Sequence, residues 1–196
     1  GAVVPEAASV TPVIVRGVVF DDGLAPGSYV TGAPYKPEFQ QRYDARVQQA
    51  RASGRFDDPI ENCYLPHGMP RLMGAGPGYL EFHVTPQRTW IIWDRMNQTR
   101  RIRTDGSGHP EDEEWPRFMG DSTGRWEGQT LVVDTVWMKQ GIYDRSGAPH
   151  SDQLHLTERI TRTDAGTITV EMTLEDPVMF TKPWQVTRRF RRVADP

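Results

Sequence analysis

Cysteine is almost missing from this chain of 196 residues: Cys63 stands alone. No disulfide can form within the chain, and cysteine usage does not fix a redox compartment. Also missing is any run approaching the roughly 20 apolar residues that a membrane helix needs, so no membrane insertion is expected. Apolar residues make up 37% and the formal net charge is −3. That charge exerts no global pull on nucleic acid or anionic lipid. Local basic runs, Arg100-Arg101 with Arg103 and Arg188-Arg189 with Arg191-Arg192, read as solvated strand faces. The patterns HExxH, GxSxG, GxGxxG and the P-loop are absent, which argues against the common serine hydrolases, NTPases and dinucleotide enzymes. No cofactor and no metal are therefore expected. The start, Gly1-Ala2-Val3-Val4-Pro5, carries no signal peptide and no Met, and reads as a trimmed, mature end.

Turn formers are plentiful, with 16 Pro and 18 Gly. Residues 1–34 read as an extended N-terminal arm with one short strand, Val13 to Phe20. Pro37 opens a helix over 37–52, where Phe39, Tyr43 and Val47 recur at every fourth position and Gly54 follows as a stop. Beyond it the pattern turns to strands near 79–85, 89–95, 99–104, 130–138, 153–163, 167–175 and 184–193, separated by turn signals such as Asp105-Gly106 and Glu127-Gly128. The fold class is mainly β: an antiparallel meander forming a lipocalin-like barrel over 35–196, with the helix covering one end.

Alternation assigns faces. Ile168, Val170, Met172 and Leu174 share one side of a strand, and Trp184, Val186 and Phe190 one side of the next. Two charges interrupt such apolar faces, Glu158 beside Leu156 and Ile160, and Arg188 between Val186 and Phe190. A buried lone charge is costly, so each needs a partner or a wet cavity. They form a structural ion pair with one another, or they line a pocket floor. On the strand from Tyr79, the trio Tyr79, Glu81 and His83 is either the solvent face or a cavity wall carrying an acid/base pair. Cys63 and His67 are close enough in sequence for a thiol–imidazole pair, although a buried structural cysteine is the plainer reading. Trp93, Trp137 and Trp184 supply ring surface for a flat ligand, or simply fill a core.

Four segments then stand out in order: Cys63-Tyr64-Leu65-Pro66-His67-Gly68-Met69-Pro70-Arg71, Gly124-Arg125-Trp126-Glu127-Gly128-Gln129-Thr130-Leu131-Val132-Val133-Asp134-Thr135, His150-Ser151 through Leu154-His155-Leu156-Thr157-Glu158-Arg159, and Asp176-Pro177 with Phe180-Thr181-Lys182-Pro183-Trp184. Together they resemble a large, mostly uncharacterised bacterial family of often exported proteins. The resemblance implies a lipocalin-like β-barrel and a periplasmic or secreted home, a cytoplasmic one staying open. It brings no catalytic residues with it. One departure is that Asp121 stands where a His is expected.

Three functions compete. The first is a cofactor-independent lyase, isomerase or hydrolase acting on a small apolar or aromatic molecule, with Glu158 as acid or base, Arg188 holding an oxyanion, and His155 or His83 moving the proton. Its ligand would lie against Trp184, Trp137, Tyr79, Trp93 and His150. The second is a lipocalin-like binder without chemistry, and the third a metal-dependent enzyme using three of the five His. A small molecule is the expected partner in each case. The oligomeric state stays open.

Overall fold

The computed structural model describes residues 13–20, 32–55, 58, 68–74, 79–93, 97–111, 115–144 and 146–192, with only the backbone described at 13–20 and Tyr79. Cys63 and His67 lie outside the described residues, so the suggested thiol–imidazole pair does too.

The elements run β1 (Val13–Phe20), α1 (Pro37–Ser53), a 3-10 turn at Arg71–Gly74, β2 (Tyr79–Val84), β3 (Arg88–Trp93), β4 (Gln98–Arg103), β5 (Asp121–Glu127), β6 (Thr130–Val136), β7 (Gly141–Ile142), β8 (Pro149–His150), β9 (His155–Asp164), β10 (Thr167–Glu175) and β11 (Trp184–Arg192). All but β7 and β8 close into a barrel in the order β1-β11-β10-β9-β6-β5-β4-β3-β2. The expected mainly β, lipocalin-like barrel with one helix is the fold observed.

Three features differ from the expected meander. First, β1 from the arm pairs antiparallel with both β11 and β2 and so closes the ring. Residues 79–193 do not close on themselves, and the barrel is not confined to 35–196. Second, β5 was not foreseen: its polar Asp121-Ser122-Thr123-Gly124 start hides the strand period. It runs parallel to β4 through only two register pairs, Ile102 with Ser122 and Arg103 with Thr123. Third, the small β7–β8 hairpin lies outside the ring, between β6 and β9, which pair with one another as the expected strand order requires.

The face assignments hold. Ile168, Val170, Met172, Trp184, Val186 and Phe190 are buried, while Glu171, Gln185 and Arg189 are exposed and Thr169 is half-buried. Period two puts the apolar set of each strand inside the ring, where β2, β3 and β6 add Leu80, Phe82, Ile91, Trp93, Leu131 and Val133.

Pro at the first turn and left-handed Gly54 (φ 66°) bound α1, which buries Tyr43, Val47 and Ala50. Just before it, Tyr35 meets Phe180 edge-on (ring centroids 5.2 Å apart), and Phe180 in turn meets Trp184 at the start of β11. The helix therefore sits at that end of the barrel. Among the described residues no helix is long and apolar enough to cross a membrane.

Candidate functional site

Inside the barrel, Glu158 is fully buried and bound to Arg100, also fully buried. Arg100 Nη1 donates to Glu158 Oε1 at 3.1 Å and its Nη2 to Oε2, while Nη2 also donates to Thr135 Oγ1 at 2.9 Å and Nε to Ser122 Oγ at 3.3 Å. The partner of Glu158 is thus Arg100 and not Arg188. Arg100 is no part of a solvated face: its side chain points inward beside Gln98 and Ile102 on β4. Arg188 is also buried, as its parity requires, and its Nη1 donates to the Thr187 carbonyl at 3.1 Å. With both oxygens held by one guanidinium, Glu158 serves as a cross-strand latch rather than an accessible acid or base.

The outer wall carries a different assembly. Alternation turns Asp121 and Thr123 (β5), Asp134 (β6), His155 (β9) and Glu175 (β10) outward, at neighbouring positions on consecutive strands of the ring. His109, on the 104–120 connection, is laid over them. Its Nδ1 donates to Asp121 Oδ1 (2.6 Å) and its Nε2 to Asp134 Oδ1 (2.9 Å). His155 Nε2 donates to the other oxygen, Asp134 Oδ2, at 2.5 Å, and its Nδ1 lies 3.6 Å from Glu175 Oε2. Arg103 grips Asp121 with two parallel bonds of 2.7 and 2.6 Å.

Burial pushes the Asp121 carboxyl up, but hydrogen bonds from Arg103 and His109 outweigh it and hold the group below its ordinary value. Asp134 behaves alike: burial raises it, and hydrogen bonds from His155 and His109 bring it down further. The site is reachable, with side-chain exposures of 22% at His109, 38% at Asp134 and 40% at His155.

Trp137 meets His109 edge-on at 5.7 Å and has φ +55°, an uncommon conformation for a bulky residue. Two hydrogen bonds enforce it by tying the 104–120 connection to the chain after β6: Arg117 N to Trp137 O (2.9 Å) and Lys139 N to Arg117 O (2.8 Å). Strain of this kind persists only where the surroundings over-determine it, and it concentrates at functional sites. Nearby in sequence, Trp115 and Phe118 are exposed large apolar side chains, and Lys139 Nζ stands 4.9 Å over the Phe118 ring.

Of the residues singled out from sequence, His155 and Trp137 come together here. His83 pairs with Glu81 at 2.9 Å on the outer face of β2, elsewhere on the ring; these two members of the trio are half-buried on that face. His150 is fully buried, with Nδ1 3.1 Å from the Ser151 carbonyl and its ring against Tyr143. Trp184 is buried among Tyr143 and Phe180, and Trp93 inside β3. Tyr79 opens β2, its side chain outside the described residues.

Sequence reasoning missed His109, Asp134 and Arg103. The usable signals were Asp134, a charge inside the run Leu131-Val132-Val133, and the substituted position Asp121. Among the described residues, no group of three or more His, Cys, Asp or Glu side chains could hold a metal ion. No protein-family model, no curated protein and no solved structure matches this chain.

Proposed function

We propose that this protein is an acid–base enzyme of the lyase, isomerase or hydrolase kind, using no bound cofactor, that works on a small aromatic or apolar molecule at the outer wall. One observation carries the reading: Asp134 accepts a proton bond from each of two accessible histidines, His155 and His109. By fixing the hydrogen on Nε2 of His155, Asp134 leaves Nδ1 as the basic nitrogen, the division of labour seen wherever a carboxylate orients a catalytic imidazole. Nδ1 takes the substrate proton, and Asp134 stabilises the imidazolium that forms on His155. Trp137, with exposed Trp115 and Phe118, offers ring surface, and Lys139 a cation for an acidic substituent.

The test is elimination of 5-nitrobenzisoxazole, an aromatic probe that needs only a general base. We expect a saturable rate above that of free imidazole at the same concentration. His155→Gln should lower kcat/KM at least tenfold, about 1.4 kcal/mol, without moving the thermal midpoint. A wild-type rate equal to that of His155→Gln overturns the proposal.

A second reading, a ligand held inside the barrel, is favoured by the buried donors Trp93 Nε1 and Tyr143 Oη, for which no hydrogen-bond partner stands among the described residues. A buried donor left so costs about 1–3 kcal/mol, which an acceptor on a ligand would recover. Quenching of tryptophan fluorescence by 1-naphthol that disappears in Trp93→Phe would support it.

A further inference from the structure

We propose that the outer face of β2, β3 and β4 carries a further binding site, where a flat-ring phosphate of the nucleoside-monophosphate type stacks on Trp90 and is held through its phosphate by Arg88 and Arg101. The site is separate from the acid–base cluster and does not depend on the reaction assigned there.

The residue pattern of β3 carries it. A strand with one face in water alternates apolar and polar side chains. β9 and β10 follow that rule and turn Thr157, Thr161, Thr169, Glu171 and Thr173 outward. Along β3 the inner positions Thr89, Ile91 and Trp93 are buried, yet the outer ones are Arg88, Trp90 and Ile92. Trp90 and Ile92 are therefore large apolar side chains on the outside of the ring, and both stay half-exposed. An indole face on an outer wall, set among cations, is a platform on which a nucleobase stacks.

Register places the cations. Trp90 stands directly between His83 on β2 and Arg101 on β4, while Arg88, two positions earlier on the same face, is opposite Arg103. Arg88 and Arg101 are thus diagonal neighbours across the β3–β4 ladder, about 7–8 Å apart at the backbone. Both are exposed, and among the described residues neither guanidinium has a hydrogen-bond or ion-pair partner. Arg103 differs, because Asp121 takes it up with two bonds. The carboxylate of Glu81, on the same face of β2, is turned to His83 at 2.9 Å. A phosphate monoester brings a charge of about −2 and three acceptor oxygens, which suits two uncompensated guanidinium forks better than the single charge of a carboxylate. With a single tryptophan on the described face and a formal net charge of −3 on the chain, the occupant is one nucleotide rather than a strand of nucleic acid.

Calorimetric titration of the full chain with adenosine 5′-monophosphate, at pH 7.5 and low salt, should show saturable binding at one equivalent. Adenosine and inorganic phosphate should each bind at least tenfold more weakly, since each supplies one half of the ligand. Arg88→Gln, Arg101→Gln and Trp90→Thr should each weaken binding at least tenfold, and the two exposed arginine positions should keep the wild-type thermal midpoint when changed. Arg125→Gln removes a guanidinium that is already paired with Glu127, and it should bind as the wild type does. No saturable heat, or equal binding by Arg101→Gln, overturns the site. Inorganic phosphate binding as tightly as the nucleotide overturns the role of Trp90. A single-stranded adenylate hexamer binding at least tenfold more tightly than the monomer overturns the single nucleotide as occupant.

Discussion

Glu158 and Arg100 show what a single charge inside a sheet demands. Each points into the barrel interior, and desolvating either alone would cost several kcal/mol. The parallel bonds between them, with Thr135 and Ser122 each taking a further guanidinium hydrogen, offset that cost. Removing one partner should therefore do more harm than removing both. Glu158→Ala should lower the unfolding free energy by about 3–5 kcal/mol in urea titrations, and Arg100→Met with Glu158→Leu should recover most of the loss. Equal losses in the single and double variants would show that the pair is not acting as a unit.

On the outer wall the charges act through pH. Asp121 and Asp134 sit below their ordinary value of 3.8 in the folded chain. Their contribution is thus complete above that value and is lost as pH falls through the lower, folded one. Asp121→Asn or Asp134→Asn should reduce the thermal midpoint at pH 6 and flatten its decline between pH 4 and pH 2. A decline as steep as that of the wild type would mean that other carboxylates control acid unfolding.

At the scale of elements, the weakest lateral join is β4–β5, with two register pairs, and side chains reinforce it from both faces: Arg100 to Ser122 inside, Arg103 to Asp121 outside. The 104–120 connection across the outside is also braced from below. Gly68, at φ +64°, lets Met69 N reach the Phe118 carbonyl at 2.9 Å, and a Cβ at Gly68 would fall 1.8 Å from that carbonyl oxygen. Backbone oxygen cannot swing aside as a side-chain tip can. Gly68→Ala should thus displace the Phe118 segment, exposing its amides to faster hydrogen exchange and lowering kcat/KM for the probe at least tenfold. Unchanged exchange at Phe118 and Met119 would refute this coupling.

For the whole molecule, closure depends on β1. It completes two ladders at once, to β11 and to β2, and without it both strands become open edges. A chain lacking residues 1–20 should lose cooperative unfolding or aggregate, as seen by size-exclusion chromatography and thermal circular dichroism. A monomeric, cooperatively melting product would show that β11 and β2 can be sealed otherwise.

Much of this was legible along the chain, because a strand's faces follow from a period of two that any short window contains. The burial of Val170, Val186 and Phe190 and the inward placing of Glu158 and Arg188 follow from that local rule, and the helix over 37–52 follows from an equally local recurrence at every fourth position. Which charge meets which does not. Glu158 finds Arg100, 58 positions away, only because β9, β6, β5 and β4 stand side by side in the ring. His109 reaches Asp134 and Asp121 only because the chain after β4 lays it over β5 and β6. A periodic pattern records which way a side chain faces. The partner it faces is fixed by strand order, by register and by ring closure through β1, which are properties of long-range pairing that no local stretch of sequence contains.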